Sequence, residues 1–177
     1  MILGIDVSTS IIGFSIVDHD SNLLHYSNVD LRKHKDFFVK SILAKEHLLD
    51  LYEKWDVTEV YIEKPFEFFN SGGSTAATMA KLQKFNGVVS WISFEVFQVK
   101  PEYLTANQAR KLVGIKVPRG QKAKKIVMDH LITNEPEFIV EWTNKGNPKP
   151  CYFDMADAIV VAKAGAENEK NKLDSEK

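Results

Sequence analysis

Residues 2–18 read ILGIDVSTSIIGFSIVD, and this stretch decides the fold. Ile2 to Asp6 is a short apolar run that ends on a carboxylate. Ser8, Thr9 and Ser10 break it, and Ile12 to Val17 resumes as a second apolar run. Asp18 to Asn22 then supplies turn residues, and Leu23 to Leu31 holds a third, weaker run. Short apolar runs separated by polar turns predict three antiparallel strands in a meander.

Downstream the period changes. Phe37, Val39, Ile42, Leu43, Leu48, Leu49 and Tyr52 recur at helical spacing, so Asp36 to Trp55 is predicted as an amphipathic helix. Glu59 to Glu63 reads as a strand that stops at Lys64–Pro65. Ser71 to Ser74 is a Gly/Ser loop, and Thr75 to about Ile92 a long helix. Phe94 to Val99 is predicted as a strand stopped by Pro101. Thr105 followed by Gln108 is a capping-box pattern, and Gly114 closes that short helix. Arg119–Gly120 is expected to open a helix to about Ile132, and Glu135 to Pro150 is irregular. Phe153 to Ala164 is the last helix, with Gly165 as its stop.

This order predicts an α/β domain over residues 1–165. A mixed five-stranded sheet, antiparallel meander first and parallel strands after, carries helices on both faces. Residues 166–177 are expected to form a flexible charged tail, from Glu167, Glu169, Lys170 and Lys172 to Asp174, Glu176 and Lys177. Within 177 residues there is room for one ordinary domain, and 44% hydrophobic content supplies its core. Apolar runs fall short of the roughly 18 residues of a membrane span. Met1 to Asp6 lacks a secretory pattern, and one cysteine, Cys151, suits a reducing compartment. The expected location is the cytoplasm.

The net charge of −1 hides a local imbalance. Between Thr105 and His130, Arg110, Lys111, Lys116, Arg119, Lys122, Lys124 and Lys125 face only Asp129. Acids elsewhere compensate, and four sit at informative places. Asp6 ends the first strand and Glu63 the fourth; Asp154 and Asp157 lie three apart at the start of the last helix, on one face. Taken singly, each has an ordinary role in a turn, a surface pair or a helix dipole. Taken together, they predict a cluster. Two unit charges about 4 Å apart repel by roughly 4 kcal/mol at an effective dielectric of about 20. Such a cluster raises its own pKa values unless divalent cations neutralise it. Hard oxygen ligands suit Mg²⁺ or Mn²⁺, and two ions about 3.5–4 Å apart can clamp a phosphodiester for attack by water.

The segments GIDVSTSIIGFSIVD (4–18), VYIEKPF (60–66) and DMADAIVVA (154–162) resemble the three acidic motifs of RuvC-type Holliday-junction resolvases. Phage-type members of that family are included in the resemblance. TMAKLQKFNGVV (78–89) is similar to the family's long central helix, and LTANQARKLVGIKVPRGQKAKKIV (104–127) to its basic stretch. The likeness covers residues 1 to 165. It implies an RNase H-like fold, a homodimer, divalent metal, and symmetric paired nicks in branched DNA within a bacterial or phage-infected cytoplasm. By motif, Asp6, Glu63, Asp154 and Asp157 would be the catalytic metal ligands. Lys116, Arg119, Lys122, Lys124 and Lys125 are candidates for phosphate contacts, with Lys116 and Lys122 expected nearest the scissile strand. Lys122 and Lys125 share a helical face that Lys124 need not share. Phe66 and Phe69 would meet unstacked bases, Phe66 as a wedge. Ala76, Ala77, Ala80 and Gly87 would let the central helix approach its copy, or else cover its own sheet.

Two other classes compete. Gly4 to Ser10 weakly matches the phosphate hairpin of actin-like kinases and ATPases, but this length does not hold two large lobes. An RNA-processing nuclease of the same superfamily is the other alternative.

Overall fold

The computed structural model describes residues 1–65 and 75–175. Strands β1 (Ile2–Val7), β2 (Ile11–Val17) and β3 (Leu23–Asp30) form the expected antiparallel meander. Helix α1 (Phe37–Lys54) follows, with the Asp36 side chain accepting the Val39 N–H as its cap. Strand β4 (Glu59–Glu63) then runs parallel to β1, helix α2 (Ala76–Phe97) crosses over, and β5 (Glu102–Leu104) adds parallel to β4. The sheet order is β3-β2-β1-β4-β5. Helices α3 (Ala106–Leu112), α4 (Ala123–Asn134) and α5 (Cys151–Ser175) complete the described chain.

The two-residue period of the strands sorts the core. Leu3, Ile5 and Val7 of β1, Ile12, Phe14 and Ile16 of β2, and Val60 and Ile62 of β4 belong to one cluster with Ala44, Leu48, Phe85 and Val89 of α1 and α2. Ile2, Val17 and Tyr61 belong to a second cluster, built on α5 and α4 through Ile159, Val161, Val127 and Leu131. Alternation therefore places the even residues of β1 and the odd residues of β4 on the α5 side. Asp6 and Glu63 share that parity.

Helix α5 lies unusually close to the sheet. A Cβ built on Gly13 would stand 2.1 Å from the Asp154 carbonyl oxygen, and one on Gly4 would stand 2.4 Å from that of Ala158. Only a residue without a side chain permits this approach.

Four expectations are corrected. Residues 94–97 continue α2 rather than forming a strand. Phe97 is buried at helical spacing from Val89 and Ser93, and Gln98 closes the helix in the left-handed region. The fifth strand forms after Pro101 instead. Helix α4 begins at Ala123, because Gly120 has a φ of +83° and stands outside the helix. Gly165 does not stop α5. It passes over the Tyr61 ring, where a Cβ would meet the ring at 2.4 Å. The helix then continues through residues expected to be a flexible tail. Asn168 donates to the Tyr61 hydroxyl at 3.0 Å, the Tyr61 hydroxyl donates to Glu169, and Lys172 pairs with Glu169 at 2.7 Å and with Glu102 of β5. These polar ties to the sheet edge explain the added turns; Glu176 and Lys177 lie outside the described residues.

Candidate acidic site and its basic rim

The β1–β4 register ends with Ile5 opposite Ile62, so Asp6 and Glu63 are the next neighbours along parallel strands. Adjacent strands run about 4.8 Å apart, which puts these two α-carbons side by side with both side chains toward α5. On the other side of β1, Asp6 is paired with Gly13, the residue on which the Asp154 backbone rests. Close approach at Gly13 thus brings the start of α5, with Asp154 and Asp157, onto the strand-end acids.

Local structure frees Asp6 from turn-making. The Ser8 hydroxyl donates to the Ile11 carbonyl at 2.7 Å and accepts the Ile11 N–H at 2.9 Å and the Ser10 N–H at 3.2 Å. Glu63 is fixed through its backbone. Its carbonyl accepts from buried Asn86 of α2 at 3.2 Å, and the following Lys64 N–H donates to Leu104 at 2.8 Å. Asn86 is a supporting residue that the sequence did not announce.

The electrostatics report the crowding. Burial is the largest influence raising the Asp6 carboxyl well above its usual range, followed by the charges of Glu63, Asp157 and Asp154. Glu63 is pushed up to about 7 by burial first and then by Asp157, with Arg110 and Lys124 opposing. Asp157 and Asp154 are raised by burial, while Lys124 pulls both down. Their side chains are each only 15% exposed.

One ammonium answers this charge. Lys124 Nζ lies 3.7 Å from Asp154 Oδ1 and 3.6 Å from Asp157 Oδ2. Desolvation works against its charge, but Asp157, Asp154, Asp6 and Glu63 together hold its pKa above the ordinary value. Among the lysines of the basic stretch, Lys124 is the one that pairs with the acids, whereas Lys116 and Lys122 are the two expected nearest the scissile strand. Lys122 is the α4 N-cap and Lys125 follows Lys124; Lys116, Arg119, Lys122 and Lys125 are all exposed. Among the described residues none of those four forms an ion pair with the acids. Lys124 and Lys125 both occupy the first turn of α4, where the helix dipole disfavours cations, so position along the helix does not tell them apart. Arg110 of α3, which the expected phosphate contacts leave out, acts on Glu63 and Asp157. Phe66 and Phe69 lie outside the described residues.

The four carboxylates offer only hard oxygen atoms, a chemistry that would suit Mg²⁺ or Mn²⁺ rather than a thiolate or imidazole metal. Among the described residues no group of three acids, histidines or cysteines stands in ready ligand geometry. Lys124 sits beside two of the carboxylates, Asp154 and Asp157.

No family model matches the chain. It is similar to the crossover junction endodeoxyribonuclease RuvC of Christiangramia forsetii, 32% identical over 91 residues, which span 50% of this chain and 45% of that protein. It is also similar to RuvC of Helicobacter pylori, 29% identical over 166 residues, covering 91% of this chain and 92% of that protein. In structure it resembles Thermus thermophilus RuvC in complex with a Holliday junction substrate, at TM-score 0.67 and 18% identity over 96% of this chain and 94% of that one. It resembles the yeast mitochondrial Holliday junction resolvase Ydc2 at TM-score 0.61 and 15% identity, over 99% and 83% of the two chains. The fold is RNase H-like, as the three acidic segments implied.

Proposed function

We propose that this chain, a RuvC-type endodeoxyribonuclease in sequence and fold, resolves Holliday junctions by paired nicks in a divalent-metal-dependent reaction. The reading rests on one observation above all: carboxylates from three distant segments crowd one another, Asp154 and Asp157 beside the Lys124 ammonium and Asp6 and Glu63 near enough to feel their charge.

Asp6, Glu63, Asp154 and Asp157 would hold the metal, taken as two ions of Mg²⁺ or Mn²⁺. When bound, such a pair supplies an activated water and a counter-charge for the leaving 3′ oxygen. The remaining work belongs to the chain. Burial and mutual repulsion keep the acids poised to exchange protons for a cation near neutral pH. Lys124, with a side chain 61% exposed, is able to turn from the carboxylates toward a phosphate once they have another partner. Arg110 adds positive charge on the Glu63 side. Lys116, Arg119, Lys122 and Lys125 extend the basic rim for phosphate contacts, and Phe66 and Phe69 remain the aromatic candidates for unstacked bases.

We read the assembly as a homodimer through the outer face of α2. Phe85, Val89 and Ile92 of that helix cover the sheet. Ala80, Gly87, Trp91 and Phe94 face outward, with Trp91 65% exposed. Two-fold pairing would set two sites against a substrate of near two-fold symmetry. The exposure of Trp91 suits an interface rather than the core. No helix of the described residues is long and apolar enough to cross a membrane.

The deciding experiment incubates the protein with a synthetic four-way junction and Mg²⁺, beside linear duplex, Y-branch and RNA–DNA hybrid. Selective, symmetric junction nicks are expected, with Asp6→Asn inert yet still able to bind. Equal cutting of all substrates, preference for the hybrid, or an active Asp6→Asn would defeat the reading.

A further inference from the structure

A second positively charged feature lies on the opposite layer from α5. A groove of about 390 Å³ is lined by Thr9, Lys35, Phe37, Lys40, Lys81, Lys84 and Phe85. Four lysines line it and, among the described residues, no carboxylate does. Among the described residues none of the four makes an ion pair. Two are held in place by uncharged groups. Lys40 donates to the Thr9 carbonyl, and Lys84 lies over the Phe37 ring at 5.0 Å from its centroid. Phe37 in turn packs edge-on against buried Phe85. The groove is thus a built wall, in which an aromatic pair and a backbone carbonyl aim ammonium groups at open space. Lys35 and Lys81 are exposed and complete it.

Position says what the charge is for. Thr9 follows Asp6 by three residues, so the groove opens at the same end of β1 as the acids. Three extended residues reach about 10 Å at most, roughly three base steps along a duplex axis. A strand whose phosphate lies at the acids therefore reaches the lysines after a short turn over the sheet edge. We propose that Lys35, Lys40, Lys81 and Lys84 bind the phosphodiester backbone of a DNA arm leading away from the cut site. This rests on the junction-nuclease reading and adds a contact surface on the α1–α2 layer, separate from the basic rim of α3 and α4.

Two measurements test it in EDTA on the inert Asp6→Asn protein, so binding alone is read. The first is junction affinity against salt for the added Lys35→Ala/Lys81→Ala pair, with Lys→Arg at both sites as the charge-keeping control and thermal unfolding as the folding check. Loss of two phosphate contacts makes the slope of log K against log salt shallower by roughly 1.8, so the affinity lost between about 50 and 200 mM salt is about 12-fold smaller. The Arg pair keeps the original slope. The second needs no groove variant. Amine acylation of Lys35 and Lys81 is followed with and without junction, using exposed Lys54 at the far end of α1 as reference. Junction should protect both lysines several-fold and spare Lys54, whereas inorganic phosphate at matched ionic strength should not. An unchanged slope, equal acylation with and without junction, or equal protection by phosphate overturns the groove while leaving the nuclease reading intact. If the protein binds no junction at all, both fall together.

Discussion

Gly13 of β2 and Asp154 of α5 are in backbone contact: a single methyl group on Gly13 would fall 2.1 Å from the Asp154 carbonyl oxygen. Gly13 is also the pairing partner of Asp6, so this contact sets how far the helical acids stand from the strand acids. Gly13→Ala should lower stability by about 2–3 kcal/mol or more, because backbone, not a flexible tip, must move. A displacement of about 1 Å at the site can cost 10²-fold in rate. Thermal unfolding and cleavage per folded molecule check this; a wild-type midpoint and rate in the alanine variant would show that the contact sets nothing.

Lys124 should matter more for the reaction than for affinity. Lys124→Ala is expected to slow single-turnover cleavage by about 10²–10³, the usual loss when a charge aimed at a reacting oxyanion is removed. Junction affinity should fall by less than tenfold. Lys122→Ala, one residue outside the helix and away from the acids, should cost far less rate. Similar rate losses for the two lysines would undo the distinction drawn between them.

Metal-free stability should fall as pH rises through the neutral range. Folded Glu63 holds its proton up to about 7, against an ordinary value of 4.5. Between those values the folded chain binds more protons than the unfolded chain, so stability declines across that window and is greatest below it. The raised carboxyls of Asp6, Asp154 and Asp157 act in the same direction. For Glu63 the effect is on the order of 3 kcal/mol, and each kcal/mol moves the midpoint by roughly 2–4 °C in a chain of this size. Glu63→Gln should therefore be more stable than wild type at pH 8 in EDTA and about equal at pH 4.5. Added Mg²⁺ should narrow the gap at pH 8 by binding the wild-type fold. A gap that is independent of pH would contradict the crowded-carboxylate account.

Trp91 carries the prediction for assembly. Trp91→Glu puts a charge on the exposed face of α2 without touching the core. Sedimentation at micromolar concentration should move from dimer to monomer, and symmetric paired nicks should give way to single nicks. A wild-type protein that sediments as a monomer while cutting both strands would remove the dimer from the mechanism.

Much of this was legible beforehand, and the boundary has physical causes. The meander, α1, β4 and the Thr105 capping box declare themselves through period and cap chemistry, which are local. The four acids were legible because strand ends and an i, i+3 pair are also local features. Errors arose where distant partners override local signals. Gly165 looks like a stop until the Tyr61 ring beneath it is known. Residues 94–97 look like a strand until Phe97 is seen to bury itself beside α1, where Tyr52 meets it. Lys124 looked no different from its neighbours because a carboxylate some thirty residues away singles it out.

The close seating of α5 has a consequence for biosynthesis. The first hairpin and the parallel strand supply half of the anionic quartet early in translation, while the other half comes with the helix that is made last among the described elements. A ribosome-bound chain that already exposes β1 to β4 and both lysine surfaces has two strand-end carboxylates but no hydrolytic centre. Under the nuclease reading, the acidic quartet is complete only when α5 settles over Gly4 and Gly13.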